Sequence, residues 1–138
     1  MTSDNQWAYD LDKIIYSIVS ARAKEQLVAK YPTLFVTDEE ETSSNPQFPT
    51  AYIHSLSSVE EGADLGGQTI NAVRATVQVK VSTNKDSSDA REVMSAIADI
   101  FKTMRFKAIA MPEIKTSGGI YRSDARFRRI IGANDTLT

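Results

Sequence analysis

Apolar positions recur along the chain in two rhythms, and the change from one to the other predicts the elements. Over 10–30, Leu11, Ile14, Ile15, Ile18 and Val19, then Leu27, Val28 and Tyr31, fall close to 3.6-residue spacing. That spacing predicts an amphipathic helix about 30 Å long. Asp10 is placed to cap its amino end and Pro32 to prevent its continuation. Arg22, Lys24, Glu25 and Lys30 fall mainly on the other side. A short β-prone run over 34–37 leads into the acidic, Ser-rich stretch DEEETSSNPQ, which reads as loop. Pro46 and Pro49 then bracket Phe48 ahead of a second strand over 50–59. In that strand Tyr52, His54 and Leu56 face one way, and Ala51, Ile53 and Ser55 the other.

The segment 60–71 (EEGADLGGQTIN) is rich in Gly and acid and predicts a long hairpin loop. The clearest strand follows. Val73, Ala75, Val77, Val79 and Val81 alternate with Arg74, Thr76, Gln78, Lys80 and Ser82. A period of two implies one buried face and one wet face, the wet one meeting solvent or a polar partner. NKDSSD turns the chain into a second helix over 87–104, with Ser88 or Ser87 as its N-cap. Val93, Met94, Ile97, Ile100, Phe101 and Met104 form its apolar stripe. A strand over 106–114 broken by Pro112, a Ser117-Gly118-Gly119 turn and a last strand over 120–131 complete the pattern. The tail GANDTLT reads as mobile or held by a partner.

Hairpin links of this kind give a two-layer α+β fold: a mostly antiparallel sheet of about four to five strands packed against two helices. No internal repeat or domain boundary interrupts residues 1–138, which read as a single domain with its core in about 10–132. A chain of 138 residues buries enough surface to form a core without staples. It contains no cysteine, which excludes disulfides, thiolate catalysis and Cys-ligated zinc. The formal net charge of −2 gives no general attraction to nucleic acid. The amino-terminal MTSDNQWAYD lacks the basic and apolar regions of a signal peptide, and no apolar run approaches a membrane span. The cytoplasm, or a virion assembled there, is the expected location.

Candidate chemistry is sparse. His54 is the one histidine and has no nucleophile motif beside it, so packing or an ordinary hydrogen bond is its expected role. Asp38, Glu39, Glu40 and Glu41 lack the Asp/Asn-Gly spacing of a calcium loop. They read as a solvated run, or as a negative wall that keeps passing DNA from adhering. Gly62, Gly66 and Gly67 match no phosphate loop. The last strand carries Arg122, Arg126, Arg128 and Arg129 among Tyr121 and Phe127. Arg122, Arg126 and Arg128 share a face with Asp124. They suit a single-stranded nucleic-acid platform or, better supported by the overall charge, a solvated face or an ion-paired protein interface. Trp7, the one tryptophan, is either a buried staple or an interface anchor.

The order and wording of these segments carry a resemblance. The opening helix IIYSIVSARAKEQLVAKYP is followed by NPQFPTAYIHSL, a long variable hairpin and the alternating ATVQVKVSTNK. After these come the helix AREVMSAIADIFKTMRF and the closing strand IYRSDARFRRIIG. Across about residues 10 to 132 the chain resembles the tail-terminator, or tail-completion, proteins of long-tailed bacteriophages. Head-completion and other neck proteins share parts of the pattern. The resemblance implies a hexameric ring of this chain on the last ring of tail-tube protein. Such a ring stops tube polymerisation and docks the head–tail connector, and DNA passes through its lumen. It implies no catalytic, metal or cofactor site and no membrane. Ring, tube or lumen contacts are expected at Asp38, Glu39, Glu40, Glu41, Glu60, Glu61, Asp64, Arg122, Arg126 and Arg128.

Overall fold

The computed structural model describes residues 4–39, 47–63 and 67–137. A four-residue helix α1 (Gln6–Tyr9) precedes α2 (Leu11–Leu27), and β1 (Phe35–Thr37) and β2 (Thr50–Ser55) follow. Next come β3 (Val59–Ala63), β4 (Ile70–Thr83), α3 (Ser87–Thr103), β5 (Lys107–Ser117) and β6 (Ile120–Gly132). The sheet has six strands in the order β1-β2-β4-β6-β5, with β3 also pairing β4. Every pairing is antiparallel except that of β1 with β2. Both long helices lie on one face of the sheet, α2 against β1 and β2 and α3 against β4, β6 and β5. This is a two-layer α+β fold.

The core forms where the two rhythms meet. On α2 the buried positions Leu11, Ile15, Val19, Ala23 and Leu27 follow a strict four-residue step. Ile14 and Val28, expected in the stripe, lie off that line and are exposed. On α3 the whole expected stripe from Val93 to Met104 is buried. It meets Val73, Ala75, Val77, Val79 and Val81 of β4, and Ala125, Phe127 and Ile131 of β6. Phe101 stacks on Phe127 at a centroid distance of 4.7 Å and meets Phe106 edge-on at 5.2 Å. Aromatic pairs of this geometry add stabilisation beyond their buried area.

Several element boundaries differ from expectation for local reasons. Asp86, not Ser87 or Ser88, caps α3: its carboxylate accepts from the Asp89 amide at 2.8 Å. Asp10 occupies the cap position of α2, but its carboxylate accepts from the Gln6 side-chain amide at 3.0 Å and caps no backbone group. The α2 helix stops at Leu27, five residues short of Pro32. The expected strand over 50–59 is two strands, because β2 leaves β4 after Ser55 and β3 rejoins it at Val59. Glu60 and Glu61 are therefore strand residues, and the loop between β3 and β4 is shorter than 60–71. Asn5 clamps that hairpin, donating to the Gln68 carbonyl and accepting from the Ile70 amide, both at 2.9 Å.

Pro112 does not end β5. It lies on an edge strand, where a missing N–H is tolerated, within the second of two register irregularities. Gly118 and Gly119, at φ +58 and +76, make the tight turn into β6. Two successive left-handed residues are what a two-residue hairpin of this twist requires. The tail, expected to be free or partner-held, packs on its own chain. The Ala133 amide donates to the Asn71 carbonyl at 3.1 Å, and Leu137 rests against the core.

Candidate interaction surface

The helices cover only one face of the sheet, so alternation along each strand delivers a second face, which the described residues leave open. On β6 the odd positions from Ser123 to Ile131 are buried, and Arg122, Arg126, Arg128 and Ile130 are exposed. Register then fixes their neighbours. Arg122 lies between Ser82 and Lys115, Asp124 between Lys80 and Glu113, and Arg128 between Thr76 and Lys107. Tyr52 and His54 of β2 stand opposite Lys80 and Gln78, with their rings stacked at 5.5 Å and an interplanar angle of 12°. His54 is thus a ring-stacked residue of the open face.

Among the described residues the face presents seven cations, Arg74, Lys80, Lys107, Lys115, Arg122, Arg126 and Arg128, against Glu61, Glu113 and Asp124. Because the whole chain has a net charge of −2, the rest of its surface is net negative. Two ion pairs fall on the open face, Arg74 to Glu61 at 3.6 Å and Lys115 to Asp124 at 4.0 Å. The first is a surface pair, of the kind that contributes little stability; in the second, Lys115 is exposed but Asp124 is half-buried.

The remaining sequence candidates separate by location. Asp38 and Glu39 are exposed just beyond β1 at the edge far from β5. The Glu39 amide donates to the Thr37 hydroxyl at 3.1 Å. Glu60 and Glu61 lie on β3, on the same side of β4 as β2. Glu40, Glu41 and Asp64 lie outside the described residues. Asp38, Glu39, Glu60 and Glu61 therefore belong to the β2 and β3 side of β4, and the three exposed arginines of β6 to the other.

Arg129, which the alternation already separates from the face shared by Arg122, Arg126 and Arg128, turns its side chain toward the helices. It is 8% exposed and donates to the carbonyls of Met104 at 2.9 Å and Thr136 at 3.1 Å. Asp135 lies 3.8 Å from the guanidinium and also accepts from the Gly132 amide at 2.7 Å. Arg129 thus ties the end of α3 and the C-terminal segment to β6. Trp7 is partly buried against the core, close to Leu11, Ile18 and Leu137. At the far end of α2, burial and the neighbouring carboxylates of Glu92 and Asp89 push the Tyr31 hydroxyl above its ordinary pKa. There Lys30 bonds Glu92 at 2.6 Å, raising the lysine and lowering the carboxyl.

Among the described residues no group of three or more His, Asp or Glu side chains could hold a metal ion, and no helix is long and apolar enough to cross a membrane. Comparison of the chain with models of known protein families gives no match, and comparison with curated proteins gives none.

Proposed function

We propose that this chain is a structural component of a long-tailed bacteriophage virion. In this reading it is a tail terminator, assembled in the host cytoplasm as a hexameric ring that caps the tail tube, ends its polymerisation and receives the head connector. The order of segments over about residues 10 to 132 supports this reading, as does the two-layer fold in which those segments meet. The observation that carries it is the uncovered sheet face. All six strands contribute side chains to it, and its unpaired cations face away from the chain's own core. A surface of that kind suits protein assembly, where electrostatic complementarity sets register and partner choice. The function is then partner binding with no bond chemistry, and DNA is encountered only in passage through the lumen.

The test is polymerisation of purified tail-tube protein in the presence of the chain, with tube lengths measured by electron microscopy. Capped tubes of restricted length are expected, with a ring of added density at one end. A chain that ignores tube ends but binds the portal–adaptor complex would belong to the head-completion proteins instead. Binding to neither would remove both readings.

A further inference from the structure

The charges on the open face run against local pairing preference. Register sets Lys107 opposite Arg128, Glu113 opposite Asp124 and Lys115 opposite Arg122. Each of these pairs brings like charges together across β5 and β6, an arrangement that destabilises a sheet in isolation. Lys115 finds relief diagonally, at Asp124. Among the described residues no ion pair relieves Lys107, Arg126 or Arg128. The face is therefore banded: cationic at Arg122, net anionic where Asp124 and Glu113 outnumber Lys80, and cationic again from Arg126 to Arg128. A nucleic-acid backbone carries one sign of charge throughout and would be repelled by the middle band. A protein surface can answer both signs. The edge of β5 is blunted by Pro112 and two register irregularities, which favours the face over that edge as a contact surface.

The complement is present on the same molecule. Asp38 and Glu39 follow β1, and Glu60 lies on β3, all exposed and all on the side of the sheet away from β5. Cations at one side and carboxylates at the other give one chain two different, mutually attractive surfaces. Such a pair of surfaces generates a heterologous, head-to-tail repeat, which closes into a ring when the rotation permits. We propose that the end of the open face bearing Lys107, Arg126 and Arg128 receives the Asp38, Glu39 and Glu60 side of a second copy of this chain. The inference rests on the ring reading above and specifies its subunit contact.

Two triple variants test it: K107E/R126E/R128E and D38K/E39K/E60K. All six side chains are exposed, and circular dichroism checks that both variants fold. Mass is followed by light scattering and sedimentation on the full chain, at ionic strengths of about 0.05 M and about 0.3 M, where screening differs strongly. The wild type is expected to self-associate at low salt, with a dissociation constant at least about tenfold higher at high salt. Each variant alone should stay monomeric where the wild type associates. An equimolar mixture should associate again, because every contact in an alternating repeat then joins opposite charges. Three results overturn the proposal: a wild type monomeric at both salts, variants that associate like the wild type, or a mixture that does not recover.

A fluorescent DNA oligomer supplies a further arm. If K107E/R126E/R128E loses oligomer binding while self-association is unchanged, the face serves nucleic acid and the proposal falls. Tube capping is read separately. Wild type that restricts tube length without this charge-dependent association overturns the subunit contact alone. Association by this route in a chain that ignores tubes removes the terminator reading and leaves the contact standing.

Discussion

Arg129→Met is the substitution that best separates the structural arginine from the surface ones. Methionine keeps much of the buried stem volume but supplies no donor. The Met104 carbonyl, at the end of α3, loses a buried charge-assisted bond of 2.9 Å, and the Thr136 carbonyl loses one of 3.1 Å. Leaving a buried carbonyl unsatisfied costs about 1–3 kcal/mol, and the Thr136 bond is only part-buried. The expected loss is therefore about 3 kcal/mol in total. With an unfolding entropy of about 2.1 cal/mol/K per residue, that loss lowers Tm by about 10 °C. Arg129→Lys retains the charge but cannot reproduce the two-pronged fork, so a loss of about half that size is expected. Thermal unfolding followed by circular dichroism measures both. Hydrogen exchange should show faster opening at the Ala133 and Asp135 amides, whose bonds to Asn71 and Gly132 hold the segment that Arg129 anchors. A Tm within about 2 °C of wild type for Arg129→Met, well under the entropy-based figure, would refute the anchoring role.

Four other outcomes follow from the same geometry. Phe101→Ala removes the ring that contacts both Phe106 and Phe127 and should cost about 3–5 kcal/mol in denaturant unfolding. Asp86→Ala should cost about 1 kcal/mol through loss of the α3 cap, whereas Ser87→Ala and Ser88→Ala should each stay within about 0.5 kcal/mol of wild type. Stability should decline as pH rises above about 10, because Lys30 and Tyr31 both have folded pKa values above their unfolded ones and lose their contribution as pH passes through the folded values. Tyr31→Phe should flatten part of that decline in pH-dependent melting curves. Lys107→Glu, which places opposite charges across β5 and β6, should raise monomer stability by a few tenths of a kcal/mol while weakening self-association; stronger association would contradict the assigned surface.

The elements that announced themselves were those whose periodicity is set by burial on one side. β4 is half-buried along its length, so Val73 to Val81 alternate without a break, and α3 packs on three strands, so its stripe is complete. β3 was missed because VEEGA carries no alternation of its own. What makes it a strand is the exposed end of β4, together with the grip of Asn5 on the hairpin. No Gly or Pro marks the break over 56–58, so the expected strand runs on past Ser55 to Val59 and the rest of β3 reads as loop. Arg129 has the parity of Phe127 and Ile131, which already points it inward. Its partners, however, are carbonyls at Met104 and Thr136, and no side-chain pattern encodes those.

The open face shows most sharply how register limits what a sequence reveals. Counting outward from the Gly118-Gly119 turn pairs Lys115 with Arg122 and Glu113 with Asp124, as the structure has them. The same count would set Lys107 opposite Ile130, a harmless neighbour. Two irregularities between Ala108 and Glu113 each shift the pairing by one residue, and Lys107 meets Arg128 instead. Bulges of this kind are designed features that re-aim side chains, and here they concentrate cations at one end of the sheet. A face meant only for water gains nothing from that concentration and loses a little stability by it. A face that must find carboxylates on another subunit gains directly, because the repulsion within the free chain is relieved only on binding. The irregular strand and the unpaired cations are thus two parts of one arrangement. Under the subunit contact proposed above, its cost falls on the isolated subunit and its benefit on the assembled one.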